Sequence, residues 1–222
     1  MQGPYLSEHG QYVSLHFGGS TTDGVHATMD RTAPFDLVFS YTQIMAGFAR
    51  FTPLPRTIGM LGLGGGSLAK HCYRQFPNSR IVVAEISAAV IALRRHFLIP
   101  DDDDDRFSVL HMDGAALLSK NTNTFDVILV DAFNEAGHLP HFATRAFYRE
   151  CYGALTTGGT LVLNFSGERW RSSFKRLHRT FRGHIVLYQC PDGDNVIVFA
   201  TKGPLPQWLT GRVGSSAANP HR

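Results

Sequence analysis

From residue 57 onward, short apolar runs alternate with stretches whose apolar positions recur every three to four residues, which predicts strands and helices in turn. The expected strands are 57–62, 80–85, 107–111, 125–130 and 159–165. The expected helices between and after them are 67–76, 87–98 with Ser87 as its cap, 115–119 and 143–155. Trp170, Phe174, Leu177 and Phe181 then keep helical spacing within residues 168–184. Two last strands, near 184–190 and 195–201, suit an antiparallel pair at the sheet edge. Upstream, residues 11–17 alternate like a strand, Gly18–Gly24 reads as a turn, and 25–29 can return antiparallel. Residues 36–51 look helical, and Pro53 and Pro55 punctuate the entry to the first core strand.

Strands alternating with helices imply an α/β fold, a mostly parallel seven-stranded sheet covered on both faces with an antiparallel edge. Three segments are expected: an N-terminal β-hairpin region (1–35), the main domain (36–202), and a loosely ordered tail rich in Pro, Gly and Ser (203–222).

Composition narrows the class. A chain of 222 residues suits one such domain with a small appendage, and 43% hydrophobic content is ordinary for a globular core. No apolar run reaches the roughly 18 residues a membrane span needs, and the first residues lack the pattern of a secretion signal. Cys72, Cys151 and Cys190 are far apart and have no zinc or CxxC spacing, so reduced thiols in a cytoplasm are expected. A net charge of +3 does not imply nucleic acid. The basic residues are uneven, however: residues 168–184 hold six Lys/Arg and one acid. Their cationic face is either a solvated exterior or an attraction for an anionic partner.

The chemistry concentrates at residues 57–67, Thr-Ile-Gly-Met-Leu-Gly-Leu-Gly-Gly-Gly-Ser. An apolar strand runs into a glycine cluster (Gly62, Gly64, Gly65, Gly66) and directly into a helix beginning at Ser67. Glycine lets the backbone turn sharply and approach a ligand where a Cβ would clash. The sixth position of a G-x-G-x-x-G count from Gly62 is Ser67, so the dinucleotide spacing fails, and no Gly-Lys-Ser/Thr follows. That variant suits a nucleoside without a pyrophosphate. Glu85 closes the second strand 21 positions after Gly64, near the spacing of an acid that accepts bonds from a ribose diol. Asp113, followed by Gly114, is placed for an adenine amino group. Asp131 ends a buried strand, where an acid can take a proton from an amine or orient it. In open α/β sheets, ligands sit beyond the carboxyl ends of the strands, where all of these residues fall.

Leu61-Gly-Leu-Gly-Gly-Gly-Ser67, Val83-Ala-Glu-Ile86, Met112-Asp-Gly-Ala115 and Phe125-Asp-Val-Ile-Leu-Val-Asp131 together resemble the spermidine synthases, or polyamine aminopropyltransferases, in their short bacterial form. Phe39-Ser-Tyr41, Leu139-Pro-His141 and Thr144-Arg-Ala-Phe-Tyr148 are similar to the same group, and the likeness spans roughly residues 11–202. The resemblance implies a Rossmann-like fold of the S-adenosylmethionine-dependent methyltransferase type. It implies decarboxylated S-adenosylmethionine, or S-adenosylmethionine itself, as co-substrate, with no metal. It makes Glu85, Ile86, Asp113, Gly114 and the glycine loop the nucleoside site. It makes Asp131 the base for an acceptor amine, Tyr41 a residue near that amine, and His26 and Asn134 substrate neighbours. A small-molecule amine is the expected partner, and a homodimer is left open by the short N-terminal β-region.

The chain also departs from that pattern. Ser67 stands where the family has an acid after the glycines, and Asn134 where it has a second acid, with Glu135 adjacent. Acids around the donor's cationic amine favour the decarboxylated form and repel a carboxylate, at about 1.5–3 kcal/mol per charged hydrogen bond. Ser67 removes one such repulsion and so motivates the methyltransferase alternative. The whole-chain resemblance and the convergent acids nonetheless make aminopropyl transfer to a polyamine such as putrescine the leading expectation. Methyl transfer from intact S-adenosylmethionine, and a non-catalytic nucleoside-binding module, stand as alternatives. His138-Leu-Pro-His141 has a ligand-like look, but Pro140 breaks the helical spacing, and a flap over the cleft is expected instead. The aspartates 101–105 are expected to form a solvated loop.

Overall fold

The computed structural model describes residues 3–18, 24–100, 103–134, 137–138, 140–166 and 170–210, the side chains of 133, 134, 137, 138, 140, 141, 166 and 210 excepted. A three-stranded antiparallel sheet comes first, formed by β1 (Tyr5–His9), β2 (Tyr12–His16) and β3 (Val25–Asp30). The expected hairpin is β2–β3. The additional strand β1 escapes the alternation test because its residues are half-buried to exposed, without a buried face. Helix α1 (Ser40–Ala46) continues into a 3₁₀ turn (Gly47–Arg50). The main domain then runs β4 (Thr57–Leu61), α2 (Ser67–Gln75), β5 (Arg80–Glu85), α3 (Ala88–Ala92), β6 (Phe107–His111), α4 (Gly114–Ser119) and β7 (Phe125–Val130). A two-residue ribbon, β8 (Phe133–Asn134) with β9 (Gly137–His138), leads to α5 (Arg145–Ala154) and β10 (Leu155–Ser166). Helix α6 (Trp170–Thr180), β11 (Ile185–Gln189), β12 (Asn195–Thr201) and α7 (Gln207–Thr210) complete it.

The seven-stranded sheet has the order β11-β12-β10-β7-β4-β5-β6. Strands β10, β7, β4, β5 and β6 are parallel, and β12 is antiparallel to both of its neighbours. The chain winds one way from β4 to β6 and the other way from β7 onward. The switch point therefore lies between the carboxyl ends of β4 and β7, where such sheets bind ligands.

Two apolar layers cover the sheet. Ile58, Met60, Ile81, Val83, Val127, Leu129, Val162 and Ile197 face the layer that holds α1, α2, α3 and the N-terminal sheet. Leu61, Val82, Ala84, Ile128, Val130, Leu161 and Leu163 face the layer with α4, α5 and α6. Strand side chains alternate, so Glu85 and Asp131 extend the first series. The pleat aims them toward α1 and α2. Leu177 and Phe181 are buried and Trp170 packs beside them, which leaves the arginines of α6 outward.

Local chemistry explains two further departures from the periodic reading. The expected helix 87–98 begins as foreseen, with the Ser87 hydroxyl accepting from Val90 N–H at 3.3 Å. It then tightens into a 3₁₀ turn at Arg94–Phe97 and stops at Leu98, whose φ of 56° is left-handed. Ile99 N–H closes the end on the Arg94 carbonyl, and Pro100 cannot continue it. The acidic stretch that follows is structured where described. Asp103 accepts from Arg94 at 3.1 Å, and Asp104 accepts from the backbone of Arg106 and Phe107 and from the Tyr73 hydroxyl. In the segment after Gly203, Trp208 packs on Phe51 and under Arg50. Among the described residues, no helix is long and apolar enough to cross a membrane.

Lys70 joins the N-terminal sheet to the main domain. Its ammonium, on buried α2, donates to the Phe97 carbonyl at 2.6 Å and touches the Met29 sulfur of β3 at 3.1 Å. Burial lowers its pKa from 10.5 to about 8. Between those values the unfolded chain holds a proton that the folded chain lacks, so the Lys70 contribution to stability rises with pH across that window. Lys70→Met should therefore favour folding, relative to the parent, more at pH 7 than at pH 10. Urea denaturation at both pH values checks this; equal differences would contradict it.

Candidate active site

Three backbone hydrogen bonds align the strand ends. Gly62 N–H reaches the Ala84 carbonyl (2.9 Å), Asp131 N–H the Leu61 carbonyl (3.0 Å), and Met112 N–H the Glu85 carbonyl (3.0 Å). The residues after β4, β5, β6 and β7 are thereby held side by side. They open onto a cavity of about 500 Å³, within the usual size of small-ligand sites. Gly62, Gly64, Gly65, Gly66, Ser67, Glu85, Ile86, Asp113, Gly114, Asp131, Tyr41 and His26 all line it. Glu135 and Leu139, and the side chains of Asn134, His138, Pro140 and His141, lie outside the described residues, so the expected flap at 138–141 is not described.

The glycine loop is shaped by its backbone. Gly62 has φ of 95°, and a Cβ there would strike the Asp131 carbonyl oxygen. Only glycine lets β4 turn away this close to β7. Gly66, at φ 65°, is the left-handed entry to α2, and a Cβ on it would overlap Ile99.

Each carboxylate is held differently. Glu85 is 8% exposed. One of its oxygens accepts from Leu63 N–H in the glycine loop and the other from Ser87 N–H, both at 2.8 Å. It therefore fixes the loop as well as facing the cavity. Asp113 is the N-cap of α4, with one oxygen accepting from Ala115 N–H at 2.7 Å and more weakly from Ala116 N–H. Ile86 is 61% exposed at the cavity wall, an apolar side chain with no protein partner covering most of its surface.

Asp131 opens to the cavity and is otherwise enclosed by protein. One oxygen accepts from Asn164 Nδ2 at 2.9 Å, and the Tyr41 hydroxyl also donates to the carboxylate. Burial raises the Asp131 pKa above the ordinary aspartate value; the bonds from Asn164 and Tyr41 pull it part of the way back. Tyr41 stays a proton donor, because burial and the adjacent Asp131 charge push its own pKa far up. Phe39 stacks on Tyr41 at 5.8 Å, and His26 meets Phe17 edge-on at 4.8 Å. Lysine and arginine are absent from the described cavity lining, which carries three carboxylates. Such a site favours a cation.

Asn164 was not among the residues expected from sequence. It is 1% exposed in the otherwise apolar run Leu161-Val-Leu-Asn-Phe165. A polar residue in a buried strand must find a partner, and that was the available signal.

Comparison with known proteins agrees with this geometry. The spermine/spermidine synthase domain model matches residues 38–173. A polyamine aminopropyltransferase of Chromobacterium violaceum is 34% identical over 207 residues, covering 91% of this chain and 78% of the relative. The chain belongs to the spermine/spermidine synthase family. A polyamine aminopropyltransferase of Neisseria meningitidis is 33% identical over 198 residues, covering 88% of this chain and 74% of the relative. Among solved structures, a probable spermidine synthase from Corynebacterium glutamicum superposes with a TM-score of 0.74 at 20% identity, over 97% of this chain and 92% of the other. The spermidine synthase of Thermotoga maritima gives 0.66 at 22% identity, over 90% and 72%. Human methyltransferase-like protein 13, in complex with SAH, gives 0.63 at 21% identity, over 75% and 82%. The synthase family and the methyltransferase-like fold are thus both present in this chain.

The turn at Gly62 is testable without any ligand. Gly62→Ala should cost about 1–3 kcal/mol in urea denaturation, from the strained φ and the clash with Asp131. A variant as stable as the parent would show that β4 and β7 are not held this closely.

Proposed function

We propose that this protein is an aminopropyltransferase acting on a polyamine such as putrescine, with decarboxylated S-adenosylmethionine as donor. The observation that carries the proposal is the cavity at the switch point, lined by three carboxylates and lacking lysine and arginine among its described residues. Both proposed substrates are cations, a sulfonium and an alkylammonium. Relatives that match most of the chain bear the name polyamine aminopropyltransferase. A solved spermidine synthase of the same fold holds the transition-state analogue AdoDATO. Among the described residues the uncharged Ser67 is what motivates the methyltransferase alternative, and the three carboxylates together with the named relatives support aminopropyl transfer over it.

In this reading Glu85 accepts from the ribose diol, Asp113 and Gly114 meet the adenine, and Ile86 packs on the purine face. Gly62, Gly64, Gly65, Gly66 and Ser67 let the backbone approach the sulfonium end. The donor then lies with its reactive carbon toward Asp131. Tyr41 and His26 border the acceptor, with Asn134 as a further neighbour. Asp131 takes a proton from the acceptor ammonium, and the freed nitrogen lone pair attacks the carbon beside sulfur. The new C–N bond forms as the C–S bond breaks, and its electron pair returns to sulfur. The products are the elongated polyamine, formed as a secondary ammonium, and methylthioadenosine; Asp131 then returns the proton it took to solvent.

Orientation supplies much of the rate in such a displacement, since both partners are held in line. Asp131 adds proton transfer. Because burial raises its pKa, the basic form is lost on acidification at a higher pH than for a free aspartate, and the rate should fall with it.

Methylthioadenosine release from putrescine and decarboxylated S-adenosylmethionine tests the proposal. Asp131→Asn should lower kcat by about 10²–10⁴-fold while donor affinity, measured by calorimetry, changes little. A parent protein that releases no methylthioadenosine, or binds the carboxylated donor more tightly, would overturn it.

A further inference from the structure

Val130 of β7 pairs with Leu163 of β10, so Asp131 and Asn164 are the next neighbours along that parallel ladder. Asn195 opens β12 and pairs in backbone register with position 166, two residues beyond Asn164. Asn164 and Asn195 are thus diagonal neighbours on one face of the sheet, within reach of each other's side chains. Their polar atoms form a directed chain. Asn195 Nδ2 donates to Asn164 Oδ1 at 2.8 Å, and Asn164 Nδ2 donates to Asp131 at 2.9 Å. Asn164 is buried and does not line the cavity.

The geometry points to Asn164 and Asn195 as positioning residues that fix the Asp131 carboxylate for proton transfer, a role that rests on the proposed reading of Asp131 as the base. An amide can face a carboxylate with its NH₂ or, turned over, with its repelling carbonyl. Asn195 reinforces the productive orientation by donating to the Asn164 carbonyl, which leaves the NH₂ toward Asp131. The choice of an amide matters. An arginine in this place would hold the carboxylate as firmly but would stabilise its charged form and weaken it as a base. A neutral dipole sets the orientation with less loss of basicity.

The same chain ties the β11–β12 turn to the site. Cys190 N–H bonds the Asn195 carbonyl, the Ser40 hydroxyl bonds Asp192, and the Cys190 thiol lies near enough to Tyr41 to affect its ionisation. The titratable groups around Asp131 are then Tyr41 on α1, Cys190 on that turn, and Glu85, Asp113 and His26 across the cavity.

The deciding experiment is a ¹³C NMR titration of the Asp131 carboxyl, assigned by loss of its signal in Asp131→Asn, combined with pH profiles of methylthioadenosine release. Asn164→Ala should raise the Asp131 pKa by about one unit, the scale of one charge-assisted hydrogen bond. It should move the acid limb of the kcat profile up by the same amount and leave the donor KM within about twofold. Asn195→Ala, which removes only the orienting bond, should shift both in the same direction by less, and the double variant should not exceed Asn164→Ala. An unmoved Asp131 pKa in Asn164→Ala overturns the assignment, as do additive effects in the double variant. If Asn164→Ala does not fold, Asn195→Ala decides by the same two readouts. If the parent shows no turnover, or its acid limb survives in Asp131→Asn, the proposed function fails; the carboxyl titration still decides the positioning role.

Discussion

A carboxylate enclosed by protein and held by neutral donors is the constraint around which this molecule is arranged. The groups that hold Asp131 are an amide, Asn164, and a phenol, Tyr41. Several features follow from keeping it in place. Strand β7 must end beside β4, which requires the turn at Gly62. Helix α1 must deliver Tyr41 across the carboxyl edge of the sheet. Strands β10 and β12 must carry polar side chains at one point in an otherwise apolar surface.

Glu85 plays the complementary part on the other side of the switch point. Its two oxygens pin Leu63 and Ser87, so the glycine loop and the start of α3 are set by the same group that faces the cavity. Ser67, at the first turn of α2, is uncharged and lines the same space. The negative character of the described cavity therefore comes from strand-end acids alone. The N-terminal sheet closes the cavity from above through Phe17, His26 and Ala27, and Lys70 fastens that sheet to the main domain.

The parts of this arrangement that repeat with period were legible in the sequence. Apolar runs located the strands, and the alternation of side chains determines that residues 85 and 131 share a face. The glycine cluster and the strand-end acids fell together because chain direction in a parallel sheet puts every carboxyl end on one edge. What escaped depends on contacts distant in sequence. Strand β1 has no buried face of its own and is defined by pairing with β2. Asp103 and Asp104 are exposed, as expected of a solvated loop, but their bonds to Arg94, Tyr73 and nearby backbone N–H groups were not readable from the run of acids. Asn164 was visible as an anomaly in an apolar run, but its partner Asn195 lies 31 residues later, and no periodicity links them.

The central claim is that the edges of β4, β5, β6 and β7 build one nucleoside crevice with Asp131 at its reactive end. A crystal structure with bound methylthioadenosine tests this most directly. The ribose hydroxyls should lie on Glu85, the purine between Ile86 and the Asp113–Gly114 turn, and the methylthio group toward Asp131 and Tyr41. A nucleoside bound elsewhere, or bound here with its sulfur directed away from Asp131, would contradict the account.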